Sequence, residues 1–135
     1  MKNIIIVTGG AGFIGSNLIK YLLKKTNFKI ISIDNYSTGS KKNHVNHKKV
    51  KYVNSDNINI SKILKTSKKK IKVIFHFGEF SRIYQSFINP KECLNSNINN
   101  SFEVINFANE NKIQIIYSAT SSALGNNGKD QNQSP

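Results

Sequence analysis

A doubly wound parallel sheet of the α/β class is the fold this sequence predicts, and three observations carry that prediction. Short apolar runs rich in Ile and Val alternate along the chain with stretches of helical periodicity, as βαβ units require. Val7 to Gly15 reads V-T-G-G-A-G-F-I-G, a glycine cluster set between the run Ile4-Ile5-Ile6-Val7 and the start of a helical pattern. The polar and glycine-rich clusters that follow the apolar runs would all fall on one edge of such a sheet, at the carboxyl ends of its strands. Ligands of this architecture bind there.

The first strand leads into a tight turn. Gly9 supplies the backbone angles of the turn, Gly12 lets the main chain approach an anion with no Cβ in the way, and Gly15 lets the helix pack closely on the strand. Phe13 and Ile14 open that helix, whose free N–H groups and positive dipole end suit a dinucleotide pyrophosphate. The helix is expected from about Phe13 to Lys25, with Ile14, Leu18, Tyr21 and Leu22 on its apolar side and Asn17, Lys20 and Lys24 opposite. A second strand, about Lys29 to Ile33, delivers Asp34, near the roughly 20-residue offset of a ribose-binding acid. A carboxylate there accepts hydrogen bonds from ribose hydroxyls and repels a 2′-phosphate, so the expected cofactor is NAD rather than NADP.

Asn35 to Gly39 (N-Y-S-T-G) forms a polar loop, and the lysine-rich stretch after it carries His44 and His47, expected as exposed, solvated residues with no acidic or thiol partners for a metal. Val50 to Val53 is a short third strand ending before Ser55-Asp56-Asn57, and Ile60, Ile63 and Leu64 mark a short helix. The continuous apolar run Val73 to Phe77 is a fourth strand buried on both faces, with His76 expected as a packed, hydrogen-bonded strand residue. A long helix is expected from about Pro90 to Glu110, with Leu94, Ile98, Phe102, Ile105 and Phe107 on its apolar side. Lys112 to Tyr117 is the fifth strand, followed by the hydroxyl-rich turn Ser118 to Ser122.

A chain of 135 residues fits one domain with a real core, and no run approaches the roughly 20 apolar residues of a membrane span, so a soluble, cytoplasmic protein with no membrane partner is expected. The single cysteine, Cys93, rules out an internal disulfide framework and is assigned to helix packing. The net charge of +13 raises a nucleic-acid reading. The positive charge is scattered and almost all lysine, with Arg82 the only arginine, which favours solvated surface over a specific nucleic-acid site.

The motifs together resemble the extended short-chain dehydrogenase/reductase family, in particular its NAD-dependent nucleotide-sugar epimerases and dehydratases. T-G-G-A-G-F-I-G at Thr8 to Gly15 is similar to that family's glycine motif, and D-N-Y-S-T-G, with Asp34, Asn35, Ser37, Thr38 and Gly39, resembles its adenosine-ribose loop. Asp56 with Asn57 falls where the family places an acid against the adenine. H-F-G-E-F-S, with Phe77, Gly78 and Ser81, resembles the fourth-strand motif beside the cofactor, and Asn97 falls on the family's helix asparagine. The resemblance implies a Rossmann fold, NAD as cofactor and a nucleotide-sugar substrate, with a homodimer formed through helices such as Pro90 to Glu110.

The family's catalytic set comprises a Ser or Thr hydroxyl, a tyrosine base and a lysine four residues after it. Thr120 falls on the hydroxyl position, whereas the Tyr-x-x-x-Lys pair has no counterpart, since the chain ends at Ser134-Pro135 just before the place of that tyrosine. The expectation is therefore an N-terminal fragment, truncated after about the fifth strand, that lacks the later strands and the substrate domain and is itself inactive. Dehydratases of the family carry an Asp-Glu pair after the Thr; Ser121-Ser122 stand here instead, so UDP-glucose 4-epimerase-like chemistry is expected of the parent. A 4,6-dehydratase, another extended dehydrogenase and a non-catalytic NAD-binding module are the alternatives. Glu79 departs from the small residues usual after the histidine, and a carboxylate beside a pyrophosphate is unfavourable unless it faces away or pairs with Arg82.

Overall fold

In a computed structural model that describes residues 2–119, five strands form one parallel sheet: β1 (Ile4–Thr8), β2 (Lys29–Asp34), β3 (Val50–Asn54), β4 (Ile71–His76) and β5 (Gln114–Tyr117), in the order β3-β2-β1-β4-β5. The order reverses between β1 and β4, which makes the carboxyl end of β1 the switch point of a doubly wound sheet.

Alternation along β1 explains why both faces are covered. Ile4 and Ile6 point into a cluster with Ile33, Ile60, Leu64, Ile74, Val104 and Phe107, while Ile5 and Val7 point into one with Ile19, Leu22, Ile30 and Val73. The first cluster is roofed by α2 (Ile60–Ile63) and α5 (Ser101–Glu110), the second by α1 (Phe13–Lys25).

Two helix faces differ from the sequence expectation. In α1 the buried stripe is Gly15, Ser16, Ile19 and Leu22, leaving Ile14 62% and Tyr21 58% exposed. The cause is Gly15: a Cβ there would stand 2.3 Å from the Gly9 carbonyl oxygen, so the helix is drawn in with this residue, and those three and four residues apart from it, against the sheet. The expected long helix consists of α4 (Pro90–Leu94), a π-helical stretch Asn95–Asn100, and α5. The wider π turn shifts the helical phase, so Ser101, Val104, Phe107 and Ala108 enter the core. Of the expected apolar side only Phe107 is buried; Leu94, Ile98, Phe102 and Ile105 face outward.

Helix α3 (Ile83–Ile88), unexpected from the sequence, precedes this unit and buries none of its residues. Lys112 lies in a turn at φ 52° after α5, so the fifth strand starts two residues later than expected. His44 is not a solvated residue: its ring stacks on Tyr52 at 3.6 Å and 5°, and its Nε2 lies 3.0 Å from the Tyr36 hydroxyl. His47 is exposed, as expected. Among the described residues no helix is long and apolar enough to cross a membrane.

Candidate functional site: a cleft at the switch point

The carboxyl ends of the first four strands enclose a cleft with about 450 Å³ of empty space, part of it open to solvent. Its lining includes Gly9, Gly12, Asp34, Asn35, Ser37, Thr38, Gly39, Asp56, Asn57, Phe77 and Gly78, eleven of the residues expected from the sequence. Chain segments more than forty residues apart meet there because each follows a strand of the same parallel sheet.

The turn after β1 is held in a single geometry. Gly9 has φ +68°, and a Cβ there would stand 2.6 Å from the Phe77 carbonyl oxygen, so both conformation and space call for glycine. Gly12 is different: its added Cβ would meet only the Gly9 carbonyl oxygen at 3.2 Å. The fold barely needs a glycine at this position, the first of the helix to face the cleft. Gly12 is the N-cap of α1 and makes no side-chain cap, so the N–H groups of the helix's first turn open toward this edge. Phe13 and Ile14, whose side chains are exposed, belong to that turn, and Gly15 packs beneath it.

Asp34 is only 8% exposed, and both of its oxygens are engaged by the backbone. The amide of Ala11 donates to Oδ2 at 2.9 Å and that of Tyr36 to Oδ1 at 2.8 Å. These bonds fix the carboxylate at the cleft wall and leave lone pairs on both oxygens for hydroxyl donors. Tyr36, held by this bond, takes a left-handed φ of 61°, and burial followed by the nearby Asp34 charge raises its phenol pKa. Beside them, Asn35 Nδ2 donates to Asp56 Oδ1 at 2.7 Å and the Ser37 amide to Asn35 Oδ1 at 3.0 Å, so the ends of β2 and β3 are tied together.

On the other side of the switch point, a directed chain of hydrogen bonds passes through fully buried His76. Thr8 Oγ1 accepts the Phe77 and Gly78 amides at 3.1 Å each, so its own proton goes to His76 Nδ1 at 2.6 Å. The imidazole proton then sits on Nε2 and is donated to Ser101 Oγ at 3.0 Å. Ser101 Oγ in turn lies within donating distance of Glu79 Oε1 at 3.4 Å and of the Ser96 carbonyl at 3.3 Å. Burial pushes the imidazole pKa down to about 4. His76 is thus the packed, bonded residue that the sequence indicated.

Glu79 also accepts from Ser118 Oγ at 3.5 Å, and as hydrogen-bond partner of Tyr117 it pushes that phenol, together with burial, up to about 12. The carboxylate therefore turns toward the end of β5; no ion pair with Arg82 occurs among the described residues. Asn97 does not reach the cleft. It clamps the loop after β4, accepting the Phe80 amide at 2.6 Å and donating to the Phe80 carbonyl at 2.9 Å. Ser81 is exposed and outside the cleft lining, and Thr120 lies outside the described residues. Glu79 lines the cleft, and so do Ser96 and Asn100, which no sequence motif singles out. The π stretch that aims Ser96 and Asn100 has no recognisable pattern in a run of Asn and Ser.

Residues 5–135 match the profile of the family described as NAD dependent epimerase/dehydratase. The ADP-L-glycero-D-manno-heptose-6-epimerase of Brachyspira hyodysenteriae is 30% identical over 133 residues, which cover 96% of this chain and 41% of that protein. Among solved structures, the UDP-glucose 4-epimerase of Thermotoga maritima, determined with UDP-glucose, superposes with a TM-score of 0.81 at 25% identity, covering 94% of this chain and 41% of the other. The UDP-N-acetylglucosamine 4-epimerase of Methanobrevibacter ruminantium M1, in complex with UDP-N-acetylmuramic acid, gives 0.80 at 30% identity with the same coverages of 94% and 41%. The chain thus spans about two fifths of the length of each of these relatives. Fold, glycine turn, acidic strand end and profile agree, and the chain belongs to the NAD dependent epimerase/dehydratase family.

Proposed function

We propose that this chain is the NAD-binding part of a nucleotide-sugar epimerase that oxidises and re-reduces its sugar at C4. The observation that carries the reading is Asp34, fixed by two backbone amides, one of them that of Ala11 beside the α1 N-cap, at the wall of a cleft that Gly12 also lines. An anion-binding helix end and a ribose-binding carboxylate on adjacent strands suit an adenosine diphosphate moiety with a free 2′-hydroxyl. The bare Gly12, which lines the cleft and where a Cβ would meet only the Gly9 carbonyl oxygen at 3.2 Å, suits close approach of a pyrophosphate.

On this reading, Gly9, Gly12, Phe13, Ile14 and Gly15 hold the pyrophosphate, Asp34, Asn35, Ser37, Thr38 and Gly39 the adenosine ribose, and Asp56 and Asn57 the adenine. Phe77, Gly78 and Ser81 run beside the other nucleoside, and Asn97 acts by holding Phe80. NAD, when bound, supplies the hydride acceptor and donor. Thr120 is the hydroxyl that orients the sugar. The substrate class is a nucleotide sugar, in keeping with the UDP-sugar 4-epimerases among the structural relatives. The outward face of Leu94, Ile98, Phe102 and Ile105 suits pairing of two copies through helices.

Titration calorimetry tests the cofactor assignment. NAD is expected to bind the chain and NADP to bind at least about tenfold more weakly, as one repulsive charge at a partly buried site gives. Asp34→Asn should narrow that gap. Equal affinities in the unmodified chain would overturn the reading. A second reading, epimerisation at a different sugar carbon, is favoured by the likeness to the heptose-6-epimerase. Identification by NMR of the epimeric product made by a parent enzyme that joins this chain to a Tyr-x-x-x-Lys segment separates the two.

A further inference from the structure

The cleft runs against the charge of the chain. Net charge is +13, yet among the described residues the cleft is lined by three carboxylates, Asp34, Asp56 and Glu79, and by no lysine or arginine. Asp34 and Asp56 follow β2 and β3. Glu79 follows β4, across the switch point. A dinucleotide lies across that point with one nucleoside over each half of the sheet. With the adenosine over Asp34, the nicotinamide half falls to Glu79.

Glu79 also has hydroxyl groups on both sides of its carboxylate. Its Oε1 lies 3.4 Å from Ser101 Oγ, the hydroxyl at the end of the chain from Thr8 through His76, and its Oε2 lies 3.5 Å from Ser118 Oγ. The backbone of the next residue, Phe80, is clamped on both sides by Asn97. These donors leave the carboxylate an acceptor and a fixed negative charge on the cleft wall.

We propose that Glu79 biases the bound cofactor toward its oxidised form. The nicotinamide ring carries one positive charge when oxidised and none after accepting a hydride, which delivers two electrons and one proton to ring carbon C4. The pyrophosphate is unchanged between the two states. A carboxylate on this half of the cleft therefore attracts the ring in NAD+ and gains nothing from it in NADH, whereas its repulsion of the phosphates weakens both equally. In a reaction that must draw a hydride from a sugar and then give it back, such a charge sets how readily the second half proceeds.

The inference rests on the reading of the cleft as an NAD site, and the experiment separates the two. Dissociation constants of the chain for NAD+ and NADH are measured by calorimetry and by nicotinamide fluorescence, with and without Glu79→Gln. The substitution is expected to shift the ratio of the constants toward NADH by about three- to tenfold, the worth of one screened charge in the same cleft. Ser101→Ala, which cuts the link to His76 but keeps the charge, should shift it less and in the same direction. Should Glu79→Gln fail to fold, as judged by circular dichroism, Glu79→Ala removes the same charge. Binding of both forms with the ratio unchanged within twofold overturns the inference alone, even where both affinities rise together. Binding of neither form by the unmodified chain overturns the NAD reading and this inference with it.

Discussion

Gly9 and Gly12 in the turn after β1 and Gly15 in the first turn of α1 have the same chemistry and three different reasons to be glycine, which makes them separable by substitution. At Gly15 an alanine Cβ would sit 2.3 Å from the Gly9 carbonyl oxygen and 2.8 Å from the Gly10 Cα, both backbone atoms that cannot swing away. Relief requires moving α1 off the sheet, an overpacking cost of about 1–3 kcal/mol. At Gly9 the conformational penalty of a left-handed residue, about 1–2 kcal/mol, adds to a contact of 2.6 Å with the Phe77 carbonyl oxygen. At Gly12 the nearest atom is 3.2 Å away, so Gly12→Ala should cost about 1 kcal/mol or less, mostly through a poorer N-cap. The added methyl there still stands where a pyrophosphate would approach. Urea unfolding combined with NAD titration reads both quantities. Gly12→Ala should stay folded and lose at least about tenfold in NAD affinity, and Gly12→Val should lose binding altogether, whereas Gly9→Ala and Gly15→Ala should lose stability first. A Gly12→Ala chain that binds NAD normally, or one destabilised more than Gly15→Ala, would refute the reasoning.

Three other outcomes are expected. Because burial lowers the His76 pKa to about 4 from 6.5, the unfolded chain takes up a proton that the folded chain refuses as pH falls. The stability this residue contributes above pH 6.5 should then drain away between pH 6.5 and about 4, by roughly 2 kcal/mol at pH 5, and His76→Gln should remove that part of the slope in urea titrations. Phe102→Asp, on the outward face of α5 at 63% exposure, should leave thermal stability nearly unchanged and convert any dimer seen by analytical ultracentrifugation to monomer. Asn97→Ala should free the Phe80 backbone and cost about 1–2 kcal/mol through two lost hydrogen bonds, with weaker NAD binding as a consequence; unchanged amide exchange at Phe80 would contradict the clamp.

Sheet and cleft were legible in the sequence for a definite reason. Strands buried on both faces write themselves as runs such as Ile4-Ile5-Ile6-Val7, and a parallel sheet carries whatever follows each run to one edge. Asp34, Asp56 and Gly78 could therefore be placed together without any knowledge of contacts. Helix faces were less legible. Ile14 and Tyr21 fit the periodicity of α1, but Gly15, which has no side chain to count, decides which stripe faces the sheet. In Pro90–Glu110 the residues Leu94, Ile98, Phe102 and Ile105 do share one face, but after the π stretch the face turned to the core is that of Ser101, Val104, Phe107 and Ala108. Helix α3 leaves little signal in the sequence because its apolar residues, Ile83, Tyr84, Phe87 and Ile88, are exposed and mark no core. His44 departs from a solvated residue because its partners Tyr36 and Tyr52 are brought to it by β2 and β3 rather than by sequence neighbourhood.

The most direct test is amide chemical-shift mapping of the isotopically labelled chain during NAD titration. The account predicts that the largest changes cluster at Gly9, Gly12, Phe13, Asp34, Gly39 and Gly78, around the carboxyl ends of β1, β2 and β4. Shifts confined to the lysine-bearing surface, or none at saturating NAD, would contradict it.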